Sequence, residues 1–247
     1  SRVVLKFPRR EVLSERALRL AFAREMLLAQ RVSSPFVLAA HSIRPDRQSA
    51  LYGVQPFLEG ETMAQRMDRA LPALKTGLDA AVKLTRAIAA LHRLEVVHRD
   101  IKPDNVILTN DGGLKLIDLG VARLPRVEDF HGDEIPGSPG FMAPEQFDGN
   151  AGDPLTDQFA LGVTLYRWFT GKWPYGEQEA FQRPRFGRAA PPSHHRPEIP
   201  SWLDDAILTA IDVDRDSRFG DVIELLRALE GGGSLELGPR RKLPLIE

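Results

Sequence analysis

The sequence predicts an α+β fold, with strands gathered near the start and around residue 110 and helices filling most of the rest. Three observations carry this. Short β-branched or apolar runs bounded by turn residues stand near 3–7, 37–40, 51–55, 106–108 and 114–117. Helical apolar periodicity runs over about Ser14 to Arg31, Gly77 to Leu94 and Asp221 to Glu230. A length of 247 residues allows a large core, in one big domain or two lobes.

Composition narrows the function classes. Thirty-three Lys plus Arg against 34 Asp plus Glu leave a net charge of −1, which removes any bulk electrostatic case for a nucleic acid or an anionic membrane as partner. There is no cysteine, so disulfides and thiolate metal sites are excluded. The longest strongly apolar stretch, Phe159 to Phe169, is too short to span a bilayer and carries Arg167 within it. The opening Ser-Arg-Val-Val-Leu-Lys lacks signal-peptide character.

Taken in order, Val3-Val4-Leu5-Lys6-Phe7 reads as a strand closed by Pro8, with one Lys inside it. The following helix has Ser14 as N-cap, Glu15 in its first turn, a stripe of Leu18, Phe22, Leu27 and Leu28, and Glu25 in its body. Val37 to Ala40 and Leu51 to Gln55 look like paired strands around the polar turn Arg44 to Ser49. After the long helix ending near Leu94, Val106-Ile107-Leu108 and Leu114 to Ile117 form a hairpin signal around Asn110-Asp111-Gly112-Gly113. The hairpin delivers Asp118-Leu119-Gly120. The last helix stops at Gly231, and Gly231 to Ser234 reads as a linker into a basic, Pro-containing tail.

The most informative stretch is His98-Arg99-Asp100-Ile101-Lys102-Pro103-Asp104-Asn105, between two apolar runs. Asp100 can accept the proton of an attacking hydroxyl, Lys102 can offset charge on a transferring phosphoryl group, and Asn105 can offer a neutral oxygen to a hard cation. Asp118 is a strand-end carboxylate able to bridge such a cation to phosphate oxygens. Any one of these side chains alone is more often a solvated turn residue; the octet as a set is the signal.

In this order, the motifs resemble the catalytic domain of eukaryotic-type (Hanks-type) bacterial serine/threonine protein kinases. The likeness runs from Lys6 to Glu230 and includes Gly137-Ser138-Pro139-Gly140-Phe141-Met142-Ala143-Pro144-Glu145. It implies a two-lobed kinase-like fold: a partial, β-rich small lobe over 1–56, a hinge and mainly helical large lobe over 57–230, and a tail over 231–247. It also implies ATP with Mg²⁺ (Mn²⁺ as a substitute) in the cleft. Asp100 would be the base, Lys102 the charge-stabiliser, Asn105 and Asp118 the metal ligands, and Lys6 with Glu25 the phosphate clamp. Gln55 would be the gatekeeper, and the carbonyl of Pro56 and the N–H of Leu58 would bond adenine. Asp157 would anchor the catalytic-loop backbone, and Arg218 would pair with Glu145. Lys102 points to Ser or Thr acceptors on protein substrates.

The chain departs from the family pattern at several places. Leu119, Ser138 and Phe141 stand where the family commonly has Phe, Thr and Tyr; Val4 replaces a small Ala; and only Ser1 to Leu5 precede Lys6, where a Gly-rich loop is expected. Short stretches such as Ser34-Pro35-Phe36-Val37-Leu38 and Leu243 to Glu247 look like the kinase half of bacterial proteins fused to a type-2C phosphatase. A fused or cognate phosphatase is therefore expected as partner. A cytoplasmic location is expected, with any membrane tether supplied by a C-terminal extension in a longer parent.

Between Asp118 and Glu145 the sole hydroxyl residue is Ser138, while Glu128, Asp129, Asp133 and Glu134 are all present. Arg99, which a loop phosphate neutralises in many kinases, is expected to meet one of these carboxylates instead. Two rivals stand beside the kinase reading. A non-catalytic scaffold would fit the missing Gly-rich loop but would not need the polar set; a small-molecule phosphotransferase would not need Lys102 or Ala143-Pro144-Glu145.

Overall fold

The computed structural model describes residues 2–43, 50–123, 137–176 and 184–232. β1 (Val3–Lys6) pairs antiparallel with β2 (Gly53–Pro56), with Val3 opposite Pro56 and Lys6 opposite Gly53. Phe57 donates to the carbonyl of Arg2 at 3.1 Å, so the alternation of an antiparallel ladder puts Pro56 in a non-hydrogen-bonded pair. Its missing N–H is not needed there, and its carbonyl faces away from β1.

Between these strands lie α1 (Arg10–Ser14) and α2 (Arg16–Arg31), rather than one helix capped by Ser14. The preceding turn is already helical, with Leu13 donating to the carbonyl of Arg9 at 3.2 Å, and Ser14 is the last residue of α1. Glu15, at φ −104° and ψ 126°, has the extended backbone that a cap position requires. The expected ladder between 37–40 and 51–55 also does not form. Leu38 donates to the carbonyl of Leu116 (2.9 Å), Leu116 donates to that of Phe36 (2.8 Å), and Ala40 donates to that of Ala29 (3.0 Å). With its backbone groups shared among different neighbours, this segment runs as a connector with one parallel bridge, Val37 to Leu116.

The chain then leaves the first sheet at Phe57 and enters a second one at β3 (Gly60–Thr62), which pairs with β4 (Val106–Thr109), itself paired with β5 (Leu114–Leu116). β4 and β5 are the expected hairpin. Thr62 caps α3 (Met63–Arg69) in a reciprocal box with Gln65, which sequence reasoning did not single out. α4 (Leu74–His92) follows.

α5 (Pro154–Thr170) is the axis of the larger half. Asp153 accepts from the N–H groups of Leu155 and Thr156, Pro154 takes the first turn, and Gly171 ends the helix at φ 69°. Phe159, Leu161, Val163, Leu165 and Phe169 are fully buried, as are Leu84, Ile88 and Leu91 of α4. Each such side chain contributes about 1.5–3 kcal/mol. α6 (Pro192–His195), α7 (Ser201–Ala210) and α8 (Val222–Gly231) complete the packing. Gly162 lets α5 approach the end of α7 closely: a Cβ there would lie 2.5 Å from Ile211 Cγ2. The last helix includes Gly231 and stops at Gly232, whose φ is 52°. Among the described residues, no helix is long and apolar enough to cross a membrane.

Candidate active site

The octet His98 to Asn105 bridges α4 and β4, and α5 holds it through Asp157. Asp157, 1% exposed, accepts the N–H of His98 on Oδ2 and that of Arg99 on Oδ1, both at 2.8 Å. His92 Nε2 donates to Oδ2 at 2.9 Å. The anchoring of the loop by Asp157 was legible; His92, a helix-end basic residue, was missed. Arg99 has φ 68°, a left-handed conformation unfavourable for a side-chain-bearing residue, and the Asp157 bond to its N–H holds it there. Its guanidinium donates from Nε to the carbonyl of Val121 at 2.6 Å and from Nη1 to that of Ala151 at 3.2 Å. The four carboxylates expected to meet Arg99 lie outside the described residues.

Beyond Arg99 the loop brings its polar set together around Asp100. Asn105 Nδ2 donates to Asp100 Oδ2 at 2.9 Å and to the Asp100 carbonyl at 2.8 Å. Lys102 Nζ lies 2.8 Å from Oδ2. The remaining oxygen, Oδ1, accepts from the hydroxyl of Ser138 at 2.8 Å, and Lys102 Nζ donates to that same hydroxyl oxygen at 2.7 Å. The link from Ser138 to Asp100 was not anticipated; that Ser138 is the sole hydroxyl of its segment was the available signal.

Ile117 donates to the carbonyl of Asn105 at 2.9 Å, which sets Asp118 beside the octet. Asp118 is also left-handed, at φ 65°. Its Oδ1 accepts from Gly120 N–H at 3.2 Å and from Lys6 Nζ at 3.0 Å. Lys6 donates in turn to Glu25 Oε1 at 2.5 Å, so β1, α2 and the end of β5 converge on one ammonium. Burial works against the Lys6 charge, but Glu25 and Asp118 together outweigh it and hold its pKa above the ordinary lysine value. Burial pushes the Glu25 carboxyl up, more strongly than Lys6 draws it down. For Asp118, burial is opposed by Lys6 and the Gly120 N–H, and the balance lies below the usual carboxylate value.

The donor set fits a hard divalent cation. Asp118 supplies an anionic oxygen, and because Asn105 Nδ2 is directed to Asp100, its amide oxygen is the group left to offer. Among the described residues no group of three or more His, Asp or Glu side chains is placed to hold a metal ion. Pro56 ends β2, and Leu58 follows it in the connection to β3. Arg218 meets Glu145 through two parallel bonds of 2.7 and 2.8 Å and donates to the carbonyl of Asp212 at 2.8 Å, locking the end of the Ala143-Pro144-Glu145 segment. Leu119, 4% exposed, packs into the core.

The sequence profile of the protein kinase domain family matches residues 2–227. Among curated proteins, a probable serine/threonine-protein kinase of Clostridium perfringens is 28% identical over 215 residues, covering 85% of this chain and 31% of that protein. Serine/threonine-protein kinase PknD of Chlamydia muridarum is 29% identical, over 93% of this chain and 28% of that protein. The probable kinase PknB of Lactococcus lactis is 26% identical, over 90% and 36%. The chain thus spans about a third of the length of these relatives.

Proposed function

The chain belongs to the protein kinase domain family, and from the arrangement of its own residues we propose that it transfers the γ-phosphoryl group of ATP to Ser or Thr hydroxyls of protein substrates. One observation carries the reading: a serine hydroxyl, that of Ser138, lies in hydrogen-bond contact with both Asp100 and Lys102. An acceptor hydroxyl in the same relation to these groups has the base and the charge-stabiliser it needs.

In this reading Asp100 takes the hydroxyl proton as the acceptor oxygen bonds to phosphorus, the bond to the bridging oxygen breaks, and ADP departs. Asn105 and Lys102 orient Asp100 and limit its rotation. Lys6, steadied by Glu25, binds phosphate oxygens, and the backbone at Pro56 and Leu58 receives adenine. Mg²⁺ or Mn²⁺ held by Asn105 and Asp118 would supply positive charge to the phosphate oxygens. Residues 1–56 would form the small lobe, 57–230 the hinge and large lobe, and 231–247 a linker and tail. Action with a fused or cognate type-2C phosphatase is also part of this proposal.

Titration of ATP with and without Mg²⁺, with Asp118→Ala as control, tests the nucleotide site, and transfer to a generic unstructured protein with Ser and Thr among both acidic and basic residues tests the reaction. Metal-dependent binding lost in the variant, with phosphate on Ser or Thr, is the expected result. Binding without transfer, in a chain whose Asp100 is intact, would favour a scaffold; transfer to a small alcohol but to no protein would favour a small-molecule phosphotransferase.

A further inference from the structure

α5 carries two charged residues along an otherwise apolar or neutral length. Asp157 is accounted for by the loop it holds; Arg167 is not. Its guanidinium lies 3.9 Å from the centroid of the Trp173 ring and 5.6 Å from that of Phe141, and the two rings are 5.1 Å apart. A planar cation stacked in this way is pinned without losing its charge. Its Nε is buried with no hydrogen-bond partner, and among the described residues Arg167 makes no ion pair. Burial draws its pKa below the ordinary arginine value, an effect that Asp104 and Asp68 oppose only in part, and neither carboxylate bonds it.

The position of this cation gives it a use. Thr164, one helical turn earlier on the same face of α5, lies 3.4 Å through its hydroxyl from the carbonyl of Ile101, the residue after Asp100. Phe141 donates its N–H to the carbonyl of Ser138 at 2.8 Å, and Ser138 is bonded to Asp100. Arg167 therefore stands where α5 meets the segment after Ser138, against Phe141 and within electrostatic reach of Asp104 of the octet. A purely structural arginine in such a place would be expected to satisfy its buried N–H.

Building on the kinase reading, we propose that Arg167 is a specificity determinant: it selects protein substrates that carry an acidic side chain within a few residues of the acceptor Ser or Thr. The pinned guanidinium pairs with the substrate carboxylate, and Trp173 and Phe141 hold it in place. A basic side chain at the same substrate position meets a fixed like charge.

The test uses three fluorescent peptides with one acceptor Ser and flanks rich in Glu, Gln or Lys, each measured twice on the same chain: for binding by anisotropy and for phosphorylation by kcat/KM. The expected result is that the wild-type chain favours the Glu peptide over the Lys peptide by roughly tenfold or more in both measurements, as for one charge-assisted contact. Arg167→Gln should remove the preference and Arg167→Glu should reverse it, while ATP binding and the Gln peptide stay within about twofold, which also verifies folding. Unchanged discrimination in Arg167→Glu, or phosphorylation of all three peptides alike by the wild type, overturns the proposal and leaves the kinase reading standing. An Arg167-dependent binding preference without transfer of phosphate supports the anion site and overturns the kinase reading. Absence of both preference and transfer overturns both.

Discussion

Asp157 and Glu25 are both buried carboxylates, 1% and 4% exposed, yet they are held in different ways. Asp157 accepts two backbone N–H groups from one loop and a third bond from His92. Glu25 meets a single ammonium, that of Lys6, whose side chain is 34% exposed and which is shared with Asp118. The elements that carry them differ in the same sense. Phe159, Leu161 and Val163 of the Asp157 helix have no exposure, whereas Val3, Val4 and Leu5 of the Lys6 strand are 47%, 42% and 51% exposed. One wall of the site is thus built into the fold by backbone hydrogen bonds over a dry core. The other is assembled from side-chain charges contributed by three elements, and its geometry depends on their convergence.

The sharpest way to break this comparison is to remove chemistry from the built-in wall without touching its frame. Asp100→Asn keeps the side chain's shape, so the kinase reading predicts a fall in kcat of about a hundred- to ten-thousand-fold with ATP affinity and thermal stability nearly unchanged. Single-turnover phosphate transfer measures it; a fall of less than about tenfold would remove Asp100 from the role of base. Next in size is Asp157→Ala. It leaves two buried backbone N–H groups without an acceptor and frees Arg99 from the left-handed conformation, so stability should drop by about 3 kcal/mol and rate should fall with it. Thermal melts should shift by roughly 6–12 °C.

How much of this was legible in the sequence follows the same division. Asp100, Asn105 and Asp118 stand in local motifs whose residue types suggest phosphoryl-transfer chemistry, while the role expected of Lys6 came with the family resemblance. The hairpin was read from Asn110 to Gly113 because turn chemistry is local. What escaped depended on partners distant in sequence. His92 gains meaning from Asp157, Ser138 from Asp100, and Arg167 from Trp173 and Phe141. The segment 37–40 has a strand-like composition, but the backbone groups of Phe36, Leu38 and Ala40 find Leu116 and Ala29 instead, and tertiary context overrode propensity. Ser14 failed as a cap because the turn before it was already helical, a fact that the residue types alone do not reveal.

The assembled wall makes an opposite prediction to Asp157. Because the folded pKa of Glu25 is raised, any stability tied to its protonation is present below the ordinary value of 4.5 and lost as pH rises through the folded value, so at pH 7 its carboxylate is a burden on the fold. Glu25→Gln should leave the melting temperature at pH 7 unchanged or higher, while the KM for ATP rises by about tenfold because Lys6 loses one of its two anchors. Asp118 has the other sign. Its depressed pKa contributes stability above about pH 3.8 that is lost as pH falls through the folded value, so Asp118→Asn should lower the melting temperature at pH 7, by an amount that shrinks as pH falls through that folded value. A melting temperature that falls equally for Glu25→Gln and Asp157→Ala would erase the distinction between the two walls.

The smallest effect should come from Ser138→Ala, and it asks to which wall the hydroxyl belongs. The hydroxyl bonds Asp100 Oδ1 and receives Lys102, but Asp100 Oδ2 keeps both Asn105 and Lys102 when it is gone. Asp100 is partly exposed to solvent, so water can take the vacated place on Oδ1, and the loss should be about 1 kcal/mol, or roughly fivefold in kcat/KM. Ser138→Thr keeps the hydroxyl and should restore the rate. If Ser138→Ala instead costs as much as Asp100→Asn while Ser138→Thr remains active, then the hydroxyl helps to fix the base itself. The segment before Phe141 would in that case belong to the built-in wall, joined to it through Asp100 as firmly as the catalytic loop is joined through Asp157.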